Sequence, residues 1–314
     1  MINKQYKILF ILLSVCFSSF AQIDNLKYSN MDYWVRREIK ESGIIGGKNK
    51  VLFEIGKTDT IIGEKARECG DSPWETSSVY AKVAGIVKVS STVFPEKRDD
   101  GYCARLETRL EEVVVLGLIN IKVLATGTIF SGSIAEPVKD SKDPMQKLMQ
   151  GYEYSNKPSA IVFDYKTKTG GARMKATGFS KSKLEGKNAS EVCVILQKRW
   201  EDEEGNIFAK RVGTGWTRFT ESKEDWVNNY TLPIKYGNIS KNPDFKEYED
   251  LLSGDKIICG MNSKGVNKQI NEIGWGDEND VPTHIIIRFS AGYGGAYVGA
   301  VGDILWVDNI KLIE

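Results

Sequence analysis

The chain has 314 residues, 43 Lys and Arg against 42 Asp and Glu, and a single histidine. Charges of both signs are interspersed, which excludes the basic stripe that nucleic acid requires, and one histidine excludes a metal site built on several. The length supports one large β domain or two smaller ones.

Residues 1–21 read as an address. Lys4 and Lys7 make a basic start, Ile8 to Val15 an apolar core, and Ser19-Phe20-Ala21 a small-residue cleavage site before Gln22. That apolar run is too short to span a bilayer, and no later segment is apolar enough to try. Leu13-Ser14-Val15-Cys16 resembles a lipoprotein box, but Val15 stands where a small residue is wanted, so ordinary export is favoured over an anchor on Cys16. The compartment is then periplasmic, outer-surface or extracellular.

Residues 22–73 predict a short helix at Met31–Glu41, then strands at Val51–Ile55 and Thr60–Ile62 leading into the main domain, 74–314. Pro73 to Ser77 is a loop carrying Trp74. Gly101 to Arg109 alternates cleanly, setting Tyr102, Ala104, Leu106 and Thr108 opposite Cys103, Arg105, Glu107 and Arg109. Lys122–Ser133 and Lys157–Lys166 are further strands, and a short helix is expected after Pro144. Glu191–Trp200 and Ile207–Thr220 read as a hairpin turning at Glu201–Asn206, Asn229–Tyr236 as another strand, and Asp244–Leu252 as a second short helix.

The chain closes on two strands, Thr283–Ser290 and Ile304–Ile313, joined by a glycine-rich connection. The first is apolar enough for burial on both faces. Alternation in the second sends Ile304, Trp306, Ile310 and Leu312 to one face, and a strand of this kind at the terminus belongs in the middle of a sheet. About ten strands with few helices exclude a parallel α/β fold and predict an all-β, two-sheet antiparallel β-sandwich of jelly-roll type.

Cys69, Cys103, Cys193 and Cys259 follow the leader, none spaced as Cys-x-x-Cys, which argues against a zinc ribbon or thioredoxin-type site. Outside the cytoplasm they allow one or two disulfides in any of three connectivities. Cys103 and Cys193 lie in strand-like runs, where a free thiol packs as a small apolar residue.

Four segments in order carry a family resemblance: Gly101-Tyr-Cys-Ala-Arg-Leu-Glu-Thr108, Ala125-Thr-Gly-Thr-Ile-Phe-Ser-Gly132, Lys157-Pro-Ser-Ala-Ile-Val-Phe-Asp-Tyr-Lys166, and the stretch from Ser290 through Gly302-Asp303-Ile-Leu-Trp-Val-Asp-Asn309. Together they resemble the bacterial family of the putative carbohydrate metabolism domain over about Trp74 to Glu314. The chain departs from the family pattern at Asp303, where serine is usual, and at Gly151-Tyr152, where a Gly-Val-Pro-Phe loop is expected. The resemblance implies an exported β-sandwich similar to carbohydrate-binding jelly rolls, and it carries over no catalytic residues.

A glycosidase needs two carboxylates about 5 to 9.5 Å apart. Glu107 is the best single candidate, although Arg105 and Arg109 on its face make an ion-paired sheet surface the stronger reading. Asp164 and Asp308 interrupt apolar strands and must be hydrated, hydrogen-bonded or bound to an ion such as structural calcium. His284 opens an apolar strand, no Gly-x-Ser-x-Gly is present, and the histidine reads as structural. The glycine run Gly292 to Gly302 lacks the ending of a phosphate loop.

Sugar binding without catalysis needs flat aromatic faces beside polar groups. Loop aromatics supply candidates: Trp275 with Asp277 beside it, Trp74, Tyr293 and Trp216, with Trp306 assigned to the core. The residues therefore favour a non-catalytic protein that binds an oligo- or polysaccharide. A glycoside hydrolase or polysaccharide lyase is the alternative, and an adhesin or assembly subunit the third.

Overall fold

The computed structural model describes residues 23–24, 26–65, 70–115, 119–139, 144–178 and 180–314. The expected export signal, Cys16 and Cys69 lie outside them. Strands dominate in several largely antiparallel sheets, and the described helices are single 3-10 turns: Gly43–Ile45, Pro144–Lys147, Glu247–Glu249 and Gly254–Lys256. The second and third fall where short helices are expected.

Met31–Glu41 forms no helix. Trp34–Lys40 is a strand, antiparallel to Asn49–Ile55 and parallel to Asp59–Ile62. Its inward face is Val35, Arg37 and Ile39, and a charged residue at the centre hides the period of two. Arg37 is wholly buried because its Nη1 donates to Glu54 and Glu136, each at 2.6 Å. Ile39 packs with Leu52, Tyr80, Val87 and Val89 in a small core beneath the hairpin Val79–Val83/Ile86–Ser90.

The closing strand Ile304–Ile313 is central. Its sheet runs Lys223–Pro233, Ala160–Lys168, Ile304–Ile313, Gly101–Glu107, Val93–Arg98, with Ile23–Asp24 paired to the strand's far end. Its predicted facing holds for only half its length. Leu305 and Val307 point into the core, then Asn309 takes φ 51° where the pairing with Ala160–Lys168 shifts register, and Ile310 and Leu312 point inward instead. One extra residue reverses the parity of a strand. Trp306 is therefore a correction: it stands on the outer face, its Nε1 donating to Glu96 at 2.8 Å, with Lys166 Nζ 4.4 Å from a ring centre.

The second sheet holds ten strands, and its pairings return to their starting point. From Thr128–Ile134 they pass through His284–Ser290, Ser190–Glu201, Ile207–Phe219, Asn267–Trp275, Cys259–Met261 and Leu148–Gln150, and so back to Thr128–Ile134. These seven strands make a closed ring. Its outer face meets the first sheet through Val192, Val194, Leu196, Ile285, Ile287 and Phe289, all fully buried. Each such side chain contributes about 1.5–3 kcal/mol. The inner face carries a second apolar cluster, including Cys193, Ile195, Ile270 and Ile286. Burial on both faces accounts for the unbroken apolar run at 285–287. Cys103, Cys193 and Cys259 are buried free thiols.

Candidate functional site

Antiparallel register assembles the site at one end of the ring. On the inner face Arg288, Cys193 and Trp216 lie side by side across three strands, and one pleat further out Ser290, Glu191 and Arg218 form the next row. Glu191, its side chain only 5% exposed, accepts from Arg218 Nε at 2.7 Å and from Arg288 Nη2 at 3.0 Å. One covered carboxylate thus holds two guanidinium groups at the rim. Burial alone would lower the Arg288 pKa, but the neighbouring Cys193 and Glu191 more than offset it, and the value is raised.

Aromatic rings hold the arginine heads. The Arg218 guanidinium lies 4.0 Å from the ring centre of Tyr293 and 4.4 Å from that of Tyr248, and Arg173 lies 4.2 Å from Tyr293. Arg288 sits 5.8 Å from the Trp216 ring.

Tyr293 comes from the glycine-rich connection, whose base is fastened by Asn188. Its Nδ2 donates to the Ala291 carbonyl and to Asp303 Oδ2, both at 2.9 Å. Asp303, the departure from the family pattern, also accepts from the Gly171 amide at 3.3 Å, so this carboxylate is the loop's anchor. Gly294 has φ 101°, and a Cβ there would come within 2.7 Å of Arg173 Nη2. The positive φ favours glycine, and a side chain there would push that end of Arg173 aside.

Behind the lining of the cleft lies a buried ion pair. Glu272 and Arg211 have fully covered side chains, with Arg211 Nη2 to Glu272 Oε2 at 2.6 Å and Nε to Oε1 at 2.7 Å. Glu272 also accepts from Gln197 Nε2 at 2.6 Å and from the Leu252 amide at 2.7 Å. Burial would raise its pKa, but the Arg211 charge and these donors prevail and lower it. The last bond pins the segment that carries Tyr248, whose ring centre is 6.1 Å from that of Trp216.

These groups border a cleft of about 940 Å³ that runs from the mouth of the ring along Phe130 and Leu124 and under the hairpin Val79–Val83/Ile86–Ser90. Its volume lies within the range of small-molecule sites, and the mouths of barrels are common ligand sites. Two polar side chains of the lining are buried and lack hydrogen-bond partners among the described residues: Trp216 through Nε1 and Gln150 through both amide atoms. Their exposures are 5% and 1%. Each such orphan costs about 1–3 kcal/mol unless something bonds it.

Of the aromatics picked from the sequence, Trp216 and Tyr293 meet in this cleft. Trp74 does not: it is fully buried in the main core, its Nε1 donating to Ser29 Oγ at 3.1 Å, and it has no face to offer a ligand. Trp275 is half-buried at a strand end with Arg211 5.7 Å from its ring centre, and Asp277 is exposed and accepts from the Asn279 amide at 2.9 Å, closing a turn. Neither lines the cleft.

Glu107 lies on the outer face of the first sheet, where Arg105 Nη1 reaches it at 2.6 Å. On the same face Arg98 Nη1 bridges Asp164 at 2.9 Å and Asp308 at 2.8 Å. Burial pushes the Asp308 carboxyl up to about 6. It acts on Asp164 as well, but bonds from the Asn229 amide, Asn309 and Arg98 bring that group below its usual value. These partners occupy the carboxylates considered for calcium, and no group of three or more metal-ligating side chains occurs among the described residues. His284 Nδ1 lies 2.9 Å from Thr283 Oγ1, and burial with the nearby Arg199 charge lowers its pKa to about 4.

Glu191, Arg218, Arg288, Arg173, Gln150 and Tyr248 were not legible as a group. The available signal was a charged residue in each of three strong strands, Glu191, Arg218 and Arg288, on the face opposite the apolar core.

A family model described as a putative carbohydrate metabolism domain matches residues 53–313. Among solved structures, the chain is similar to that of a putative glycoside hydrolase from Bacteroides thetaiotaomicron, with 16% identity over 85% of this chain and 75% of that one and a TM-score of 0.48. A putative glycoside hydrolase from Bacteroides vulgatus aligns at 13% identity over 94% and 97% of the two chains with a TM-score of 0.41. No curated protein matches the sequence.

Proposed function

The chain belongs to the family of the putative carbohydrate metabolism domain, and from that premise we propose that it is an exported, non-catalytic protein that binds an oligo- or polysaccharide in the cleft at the ring mouth. The observation that carries this reading is the pair of orphaned side chains, Trp216 and Gln150. A sugar presents hydroxyls that donate and accept, so it meets an indole N–H and both ends of a carboxamide at once. Its C–H faces lie against the half-buried apolar strip that includes Val79, Ile86 and Val123. Of the cleft's carboxylates Glu111, Glu191 and Glu247, Glu191 is committed to two arginines, which disfavours it as a hydrolytic acid or base.

The test is calorimetric titration of the mature protein with neutral and acidic oligosaccharides, alongside reducing-sugar release and ultraviolet detection of unsaturated products. Binding with no product formed, weakened about tenfold or more by Trp216→Phe through loss of one hydrogen bond to a buried donor, is the expected result. Turnover of any of these substrates would replace the binding protein with a hydrolase or lyase. Failure of every saccharide to bind would leave the adhesin reading.

A further inference from the structure

The cleft's charges are unbalanced. Six basic residues line it, Lys88, Lys147, Arg173, Arg218, Lys256 and Arg288, against the three acids Glu111, Glu191 and Glu247. At the ring mouth the excess is sharper, because Glu191 alone faces both Arg218 and Arg288. Arg173 pairs with no carboxylate among the described residues. Its Nη1 donates to the Glu185 carbonyl at 3.4 Å, and its buried Nε has no partner.

The aromatic faces at this end are also taken. Arg218 covers Tyr248 and Tyr293, and Arg173 covers Tyr293. A ring carrying a guanidinium is not free to stack on a pyranose. Its effect is to hold the arginine's planar fork in place with the N–H edges directed elsewhere, and that fork matches a carboxylate or a sulfate ester in two parallel bonds.

Resting on the reading of the cleft as a saccharide site, we propose that it selects an acidic saccharide, one bearing a uronate carboxylate or a sulfate ester. Arg173 and Arg218, braced by Tyr293, receive the anion. Trp216 and Gln150 meet hydroxyls deeper in the cleft.

The experiment compares three probes of equal length on the mature protein: oligogalacturonate, a sulfated galactan oligosaccharide and a neutral galactan oligosaccharide, each titrated at low and high salt. Inorganic sulfate is titrated in parallel. The expected result is that at least one acidic probe binds about 10- to 100-fold tighter than the neutral one at low salt, the span of one charge-assisted hydrogen-bonded contact. The advantage should shrink as salt screens it. Arg173→Gln should remove most of it, bringing the acidic-to-neutral affinity ratio towards one, and Arg173→Lys, which keeps the charge and loses the fork, should restore part of that ratio. Whichever acidic probe binds identifies the anion.

Neutral oligosaccharide bound as tightly as both acidic probes would overturn the acidic selectivity and leave carbohydrate binding standing. Inorganic sulfate bound as tightly as the acidic probes would also overturn it, by making this an ion site. No binding by any saccharide would overturn both readings.

Discussion

Glu272→Gln probes whether the support behind the Tyr248 segment depends on a charge or only on a shape. The substitution keeps the volume and all but one atom type. In the native chain the carboxylate accepts four hydrogen bonds, from Arg211 Nη2, Arg211 Nε, Gln197 Nε2 and the Leu252 amide, at 2.6 to 2.7 Å. An amide can accept at one oxygen only, and its NH2 must face two of these donors. The change therefore breaks at least two bonds and leaves the Arg211 charge buried and unpaired, since both side chains are fully covered. Hydrogen bonds to a charged group contribute about 1.5–3 kcal/mol each, though not additively within one network. Removing one partner of a buried pair costs about 3–5 kcal/mol as a whole. The larger change Arg211→Met with Glu272→Leu should recover most of that loss, because neither charge then remains to be solvated. Urea unfolding followed by tryptophan fluorescence measures both. A single-variant loss under about 1 kcal/mol, or a double variant no better than the single, would refute the claim that Arg211 is held by the charge of Glu272. Saccharide binding by Glu272→Gln should weaken even where the protein remains folded, because the Leu252 amide no longer pins the segment bearing Tyr248.

Gly127→Ala should destabilise severely or prevent folding, since a Cβ there would stand 2.2 Å from the Glu107 amide nitrogen and 2.6 Å from the Thr92 carbonyl oxygen, and backbone cannot move aside cheaply; a normal melting curve would refute this. His284 has a folded pKa of about 4 against an ordinary 6.5, so the unfolded chain binds the extra proton between those values and stability is lost as pH drops across that window. The stability of the native protein relative to His284→Asn should therefore be flat above about 6.5 and decline below it by up to about 1.4 kcal/mol per pH unit; a constant difference from pH 7.5 to 4.5 would contradict the assignment. Thiol reagents should label Cys103 and Cys193 only after denaturation, because both are buried and burial pushes their thiols up to about 12 and about 11; mass spectrometry showing native-state labelling at either would refute it.

Period-two alternation makes the all-β character and the central place of the closing strand legible, because both follow from local side-chain patterns. It fails at Arg37 and at Asn309 for different reasons. At Arg37 the buried position is filled by a charge whose partners, Glu54 and Glu136, are 17 and 99 residues away. A polar letter at a core position is invisible to any pattern that equates burial with hydrophobicity. At Asn309 a left-handed residue inserts one step into the alternation, and everything upstream of it changes face. Trp306 was lost to the core by that single step.

The site is hidden for a third reason. Its parts sit at the ends of long strands that are apolar for most of their length, and they become neighbours only when Ser190–Glu201 registers against Ile207–Phe219 and His284–Ser290. Loop aromatics are conspicuous in sequence because nothing local explains them, yet Trp74 is explained by a core contact and Trp275 by Arg211. Trp216 lies within a strand, and its indole stands out only by what it lacks, a partner for a buried Nε1 among the described residues. An unmade hydrogen bond has no signature in composition or spacing. It exists only once the ring is closed, which is why the residue that best identifies the cleft could be named from sequence but not ranked above the others.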